Sequence, residues 1–136
     1  MKNLKPVIII LTIIIALVLV YNIYLMPKSI SIKDIYPETG DINKIEVING
    51  NTGERVLITN QKDIKEIISI IENVKLSKSS NQELKPGYTY DISFLKNDAI
   101  YFGISIADNE IRTQKKVYIT KIPITKDIEM ITKKYY

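Results

Sequence analysis

Cysteine, histidine and tryptophan are absent from this chain of 136 residues, and phenylalanine occurs only twice. Without cysteine there is no disulfide, no thiol nucleophile, no thiolate metal site and no cysteine-linked lipid anchor. Without histidine there is no imidazole base near neutral pH and no imidazole metal ligand. Gly-rich phosphate loops are missing, and no run of acids has the EF-hand spacing, which needs about five oxygen ligands at fixed positions. Charge of neither sign dominates: the net charge is +4 with 25% charged residues, a balance that points neither to disorder nor to a nucleic-acid binder. No cofactor is expected.

What is present is unevenly spread. Residues 7–26 read VIIILTIIIALVLVYNIYLM, and twelve of the first fourteen are Ile, Leu or Val. Twenty helical residues at ~1.5 Å each span ~30 Å, the hydrocarbon thickness of a bilayer. At roughly −0.3 to −0.6 kcal/mol apiece, the aliphatic residues outweigh Thr12 and Asn22 several-fold. Tyr21 and Tyr24 fall toward the far end, where amphipathic rings favour the headgroup layer. The alternative of a buried helix fails on size, because about 110 remaining residues cannot surround it.

No A-x-A pattern follows the run, so the segment reads as an uncleaved signal anchor. A secreted soluble factor released by cleavage is the alternative. Lys2 and Lys5 precede the run without any acid, whereas Lys28 and Lys33 beyond it are mixed with Asp34, Glu38 and Asp41. Residues 1–6 are therefore expected in the cytoplasm, with the rest outside a cell membrane crossed once.

Residues 27–41, with Pro27, Pro37 and Gly40 as punctuation, read as a tether, although Ser29 to Ile32 has the makings of a short strand. Residues 42–136 are expected to form one domain. Ile45 and Val47, then Val56 and Ile58, alternate on either side of Asn49-Gly50, a β-hairpin signal. Asn60 suits an N-cap, and Ile64, Ile67, Ile68, Ile71 and Val74 share one face of a helix over 61–75. Leu76 to Gly87 is polar and reads as a loop. Tyr88, Tyr90, Ile92 and Phe94 share one strand face, and Ile100, Phe102, Ile104 and Ile106 match it across a turn at Lys96-Asn97-Asp98. After a second turn at Asp108-Asn109, Ile111, Thr113, Val117 and Ile119 continue in extended form. Thr125 is placed as the cap of a last helix carrying Ile128, Ile131 and Tyr135. The order β-β-α-β-β-β-α predicts an α+β fold, an antiparallel sheet with helix on one face.

Catalytic groups are scarce. Ser77, Ser79 and Ser80 lie beside Lys75 and Lys78, but a lysine in a solvated loop is protonated and cannot take a serine's proton. Asp91 with Asp98, or Asp108 with Glu110, are the nearest carboxylate pairs, and Asp98 and Asp108 suit tight turns on local hydrogen bonding alone. A small carboxylate-dependent hydrolase stays as a distant alternative to a non-enzymatic role. Charge is also uneven along the chain. Residues 28–111 hold ten basic and thirteen acidic side chains, and residues 112–136 hold seven basic and two acidic. A basic C-terminal part near a membrane suits anionic headgroups or wall polymers.

Binding is the expected role. With Tyr90, Ile92, Phe94, Ile100, Phe102 and Ile104 turned to the helix, Tyr101, Arg112, Leu57 and Leu95 would stand out on the opposite, mostly small and polar face. Tyr and Arg are favoured at binding hot spots. A protein partner is expected there, with the loop Ser77–Gly87 as the next place to look, and the bilayer is the expected partner of residues 7–26.

The basic start, single apolar run and domain of about 100 residues resemble the layout of small exported, single-pass proteins of low-GC Gram-positive bacteria. The stretch Tyr88 to Tyr118, with paired strands and a late tyrosine before a short terminal helix, is similar to their uncharacterised extracytoplasmic domains. That resemblance rests on layout and implies a location, with no activity or site residues to transfer.

Overall fold

A computed structural model describes residues 4–25 and 29–136. Expectations for residues 1–3, and for Met26, Pro27 and Lys28 at the end of the apolar run, lie outside the described residues.

The apolar run is helical throughout its described length, as α1 (Leu4–Val20) continued by a π-helical turn over Tyr21–Leu25. All 22 of these residues are exposed. The remainder is α+β: α2 (Ile32–Ile35), β1 (Lys44–Asn49), β2 (Arg55–Ile58), α3 (Gln61–Asn73), β3 (Leu76–Lys78), β4 (Tyr90–Lys96), β5 (Ala99–Ala107), β6 (Glu110–Arg112), β7 (Val117–Thr120) and α4 (Thr125–Thr132). The seven strands form one antiparallel sheet in the order β2-β1-β4-β5-β6-β7-β3.

The β1–β2 hairpin pairs Ile45 with Ile58 and Val47 with Val56, as their alternation requires. Asn97 and Asp98 both take positive φ, 49° and 67°, in the two-residue turn between β4 and β5. That conformation matches the strand twist, and Asn and Asp tolerate it better than other side chains.

Asn60 caps α3, its side-chain oxygen accepting from the Lys62 and Asp63 amides. Ile64, Ile67 and Ile71 are buried against the sheet, whereas Ile68 is only half-buried. Thr125 is the first residue of α4 and makes no capping bond, the N-cap position falling to Ile124. Ile128 and Ile131 are buried with the α3 isoleucines in one core.

Three segments depart from the sequence reading. Residues 29–41, expected to be a tether, are folded onto the domain. Ile30 exchanges two backbone hydrogen bonds with Leu76, at 2.9 and 2.8 Å. Ser31 and Asp34 form a capping box at the start of α2. Ile32 is fully buried, Tyr36 stacks on Phe102 with ring centroids 4.1 Å apart, and Thr39 is held by Glu72 of α3. Polar neighbours hid this packing, because one or two apolar side chains per turn suffice to seat so short a segment.

The segment expected to be a loop from Leu76 begins as edge strand β3, where Leu76 is fully buried and pairs with Thr120 of β7.

The third departure is a β-bulge. The β4–β5 register shifts between Phe94 and Leu95, so that Phe94 faces Phe102 while Leu95 faces Ile100. Tyr101 is the extra residue. Ile100 thereby turns to the open face of the sheet and Tyr101 stays on the helix side, edge-on to Tyr36 and Phe102, with the Lys96 ammonium 3.7 Å from its ring centroid. Both were expected on the other face. One inserted residue inverts a side-chain alternation whose period is two.

α3 and α4 are tied by a polar cluster. The Lys134 ammonium donates to the Asp63 carboxylate at 2.8 Å and the Tyr135 hydroxyl to its other oxygen at 2.5 Å. These donors hold the Asp63 carboxyl below its ordinary range. Burial, reinforced by that carboxylate, pushes the Tyr135 hydroxyl up to about 12.

Two measurements follow from this packing. Ile32→Ala should cost ~2–5 kcal/mol of stability, as for a buried isoleucine, and Ile68→Ala clearly less. Urea unfolding of the full chain in detergent, followed by tyrosine fluorescence, checks both. An unchanged Ile32→Ala midpoint would mean that residues 29–41 are not part of the core.

The Asp63 cluster sets a pH window. Asp63 is depressed in the folded state, so its contribution is present above the ordinary value of 3.8 and fades as pH falls through the lower folded one. Tyr135 is raised, so its contribution is full below pH 10 and is lost as pH climbs toward about 12. Asp63→Asn should lower the melting temperature at pH 7 and flatten the acid side of the stability profile.

Candidate functional site

The open face of the sheet is built from the outward positions of β2, β1, β4, β5 and β6. Cross-strand register sets its rows. Leu57, Glu46, Ser93 and Gly103 form one, and Arg55, Ile48, Asp91, Ser105 and Arg112 form the next. Lys44, Leu95 and Ile100 form a third. Small side chains at Ser93, Gly103 and Ser105 leave a trough along β4 and β5. Ile100, 63% exposed, stands at its end beside the half-buried Leu95, and Leu57, 53% exposed, lies two strands away on edge strand β2, across Glu46 and Lys44 of β1.

A strap crosses the far side of the trough. Residues 79–89 run from β3 back to β4 over β6 and enclose a groove of about 480 Å³ with Leu84, Pro86 and Tyr88 along one wall. Arg112 fastens it. The guanidinium is 11% exposed and donates to the carbonyls of Lys85 and Gly87 at 2.8 and 2.6 Å. Its other edge donates to the Glu110 carboxylate at 3.1 and 2.8 Å. Gln82 bonds the Val117 backbone through both its amide oxygen and its nitrogen.

Gly50 secures the near end. Its amide donates to the Thr89 carbonyl at 2.9 Å, and a Cβ at this position would lie 1.9 Å from the Tyr88 carbonyl oxygen. Only glycine permits that approach.

Four residues were expected on this face. Leu57 and Leu95 are on it. Arg112 is on it too, with its donors committed to the strap and to Glu110. Tyr101 is on the opposite, helix-packed side. Ile100, Leu84 and Tyr88 complete the apolar lining and were missed. The signal for Ile100 was faint: Ile100-Tyr101-Phe102 breaks clean alternation, which is what a bulge does.

The groove's polar chemistry is sparse. Ser105 donates its hydroxyl to the Asp91 carboxylate at 2.6 Å. Asp91 and Asp98 sit at opposite ends of β4, and Asp98 is ion-paired with Lys44. Glu110 is held by Arg112. Among the described residues no three acidic side chains gather as a metal site would need. Comparison of the chain with protein-family models, with curated proteins and with solved structures returns no match. The geometry offers apolar side chains beside a shallow trough.

Arg112→Ala should release the strap. The altered protein is expected to lose about 1–3 kcal/mol of stability through unpaired carbonyls and to expose Glu83 to glutamyl endopeptidase. Arg112→Lys should rescue it poorly, because an ammonium lacks the planar fork that serves two carbonyls and a carboxylate at once. Equal cleavage rates in parent and Arg112→Ala would show that the strap is held by other contacts.

Proposed function

We propose that this protein is a single-pass membrane protein whose outward domain, without catalytic activity, binds a protein partner through the open face of its sheet. The observation that carries the binding half is the exposed Ile100 beside Leu95 on β5 and β4, at the strapped groove that Leu84 and Tyr88 also line, with Leu57 standing out on edge strand β2. Apolar side chains set among Arg55, Glu46 and Lys44 on an uncovered face are the pattern of an interaction site.

The anchor half is supported by α1 and its π-helical extension, long and apolar enough to cross a bilayer and uncovered by any other described part of the chain. Two polar side chains within it, Thr12 and Asn22, support the same reading. Thr12 donates to the Ile8 carbonyl at 2.9 Å and Asn22 to the Val18 carbonyl at 2.8 Å. Bonded back to their own helix, they place no unpartnered donor in hydrocarbon. Lys2 and Lys5 favour a cytoplasmic N-terminus in a cell membrane.

The test is photo-crosslinking from membranes. A photoreactive amino acid at Leu57 or Ile100 should capture a protein partner, and the same group at Lys33, on the helix side, should not. Leu57→Asp or Ile100→Asp should weaken capture about tenfold, as ~1.4 kcal/mol does. External protease on protoplasts should remove the domain from full-length, carbonate-resistant protein. A shortened species in the medium would instead establish the secreted form, and a turnover activity lost with Asp91→Asn would establish a hydrolase.

A further inference from the structure

One end of the domain is tied to the apolar helix by very little chain. Leu25 closes the described helical stretch, and Ile30 is already paired to Leu76 by two backbone hydrogen bonds. Five residue steps separate them, a reach of at most about 18 Å even when fully extended. Leu76 pairs in turn with Thr120 of β7. At ~4.8 Å between neighbouring strands, Thr120 lies about 10 Å from Ile30. The sheet end that carries the start of β3 and the end of β7 is therefore the end nearest the apolar helix.

Immediately after Thr120 the chain holds an isoleucine out into solvent. Ile122 is 74% exposed, although it borders an apolar groove of about 580 Å³ between α3 and α4 that includes Ile70, Val74 and Ile124. The loop is fixed in this posture, because the buried Thr120 hydroxyl donates to the Ile122 carbonyl at 2.9 Å. Lys75 and Lys121 flank the groove, with Asp127 as its acid. An aliphatic side chain held outward between two lysines is the arrangement of a shallow interfacial contact, the apolar group entering the acyl boundary while the ammoniums meet phosphates.

We propose that this end of the domain docks on the lipid headgroup layer, with Ile122 inserted and Lys75 and Lys121 on lipid phosphates. The proposal rests on the membrane-anchor reading of α1. Docking there fixes the orientation of the domain on its short linker, with the β4–β5 turn pointing away from the bilayer. That turn lies at the other end of β4, about 20 Å from Tyr90 along the strand.

The absence of native cysteine makes the test direct. Full-length Ile122→Cys and Ala99→Cys proteins, each labelled with an environment-sensitive fluorophore, are reconstituted into vesicles of phosphatidylethanolamine and phosphatidylglycerol. Flotation and carbonate washing establish whether the chain is anchored. The Ile122 probe should then be blue-shifted and quenched by spin-labelled lipid roughly threefold or more beyond the Ala99 probe. Adding Lys75→Glu with Lys121→Glu should remove most of that difference. A chain that floats and resists carbonate while its Ile122 probe stays in water overturns the docking and leaves the anchor standing. A probe shielded from water but untouched by lipid quencher also overturns it, assigning the surface to protein. A chain extracted by carbonate overturns both.

Discussion

A seven-stranded sheet with one apolar face has to be covered across its width, and this requirement organises the rest of the domain. Six inter-strand spacings of ~4.8 Å make a face about 29 Å wide, whereas two packed helices of ~10 Å diameter cover about 20 Å. α4 lies toward Tyr90 and the end of β1, and α3 beside it. The shortfall over β5 and beyond is filled by residues 29–42. Ile32 and Thr39 pack against Phe94, Phe102 and the α3 side chains, while Tyr36 continues the stack of Phe94 on Phe102. The segment that leads from the apolar helix is thus a structural layer of the domain.

The same arithmetic explains why the opposite face can remain open. Once the helices occupy one side, the outward positions of β2, β1, β4 and β5 are left without a packed layer, whereas Val117 of β7 is buried on that face. The bulge at Tyr101 then divides two aromatics and an isoleucine between the faces. Tyr101 joins the core-side cluster under Lys96, and Ile100 moves out beside Leu95. Among the described residues the outer face is covered by the strap of residues 79–89, held by Arg112, Gln82, the close approach at Gly50, and backbone bonds from Ser79 and Thr89. The polar atoms of that strap are satisfied by Arg112 and Gln82 rather than by a ladder, which is how an irregular segment can lie across a sheet without stranded carbonyls.

Coupling between the apolar helix and the domain is set by length. Because Ile30 is hydrogen-bonded into the sheet edge, only five residue steps separate it from Leu25, against the fifteen-residue tether that the sequence suggested. That spacing limits how far the β3–β7 end can lie from the end of the apolar helix.

Much was legible before any coordinates. The apolar run, the β1–β2 hairpin, the capped α3, the matched faces of Tyr90, Ile92 and Phe94 with Ile106, Ile104 and Phe102, and the α+β class all follow from periodicity and capping, which act between residues a few positions apart, although the hairpin turns through a longer loop with Gly53, not Gly50, at positive φ. What tertiary structure decided lies in three places: the docking of Ile32 and Tyr36, the pairing of Leu76 with Thr120 and Ile30, and the inversion of Ile100 and Tyr101 at the bulge. The first two join residues far apart in sequence, through the uncovered width of a face and the free edge of a strand, and the third is a one-residue shift within a hairpin that leaves Tyr101 against Tyr36. Local pattern carries no record of those, because burial is settled by whatever surface remains after the strong elements have packed. The site divided the same way: Leu57, Leu95 and Arg112 were placed on the correct face by alternation alone, while the commitment of Arg112 to the strap required a loop whose path only the folded sheet defines.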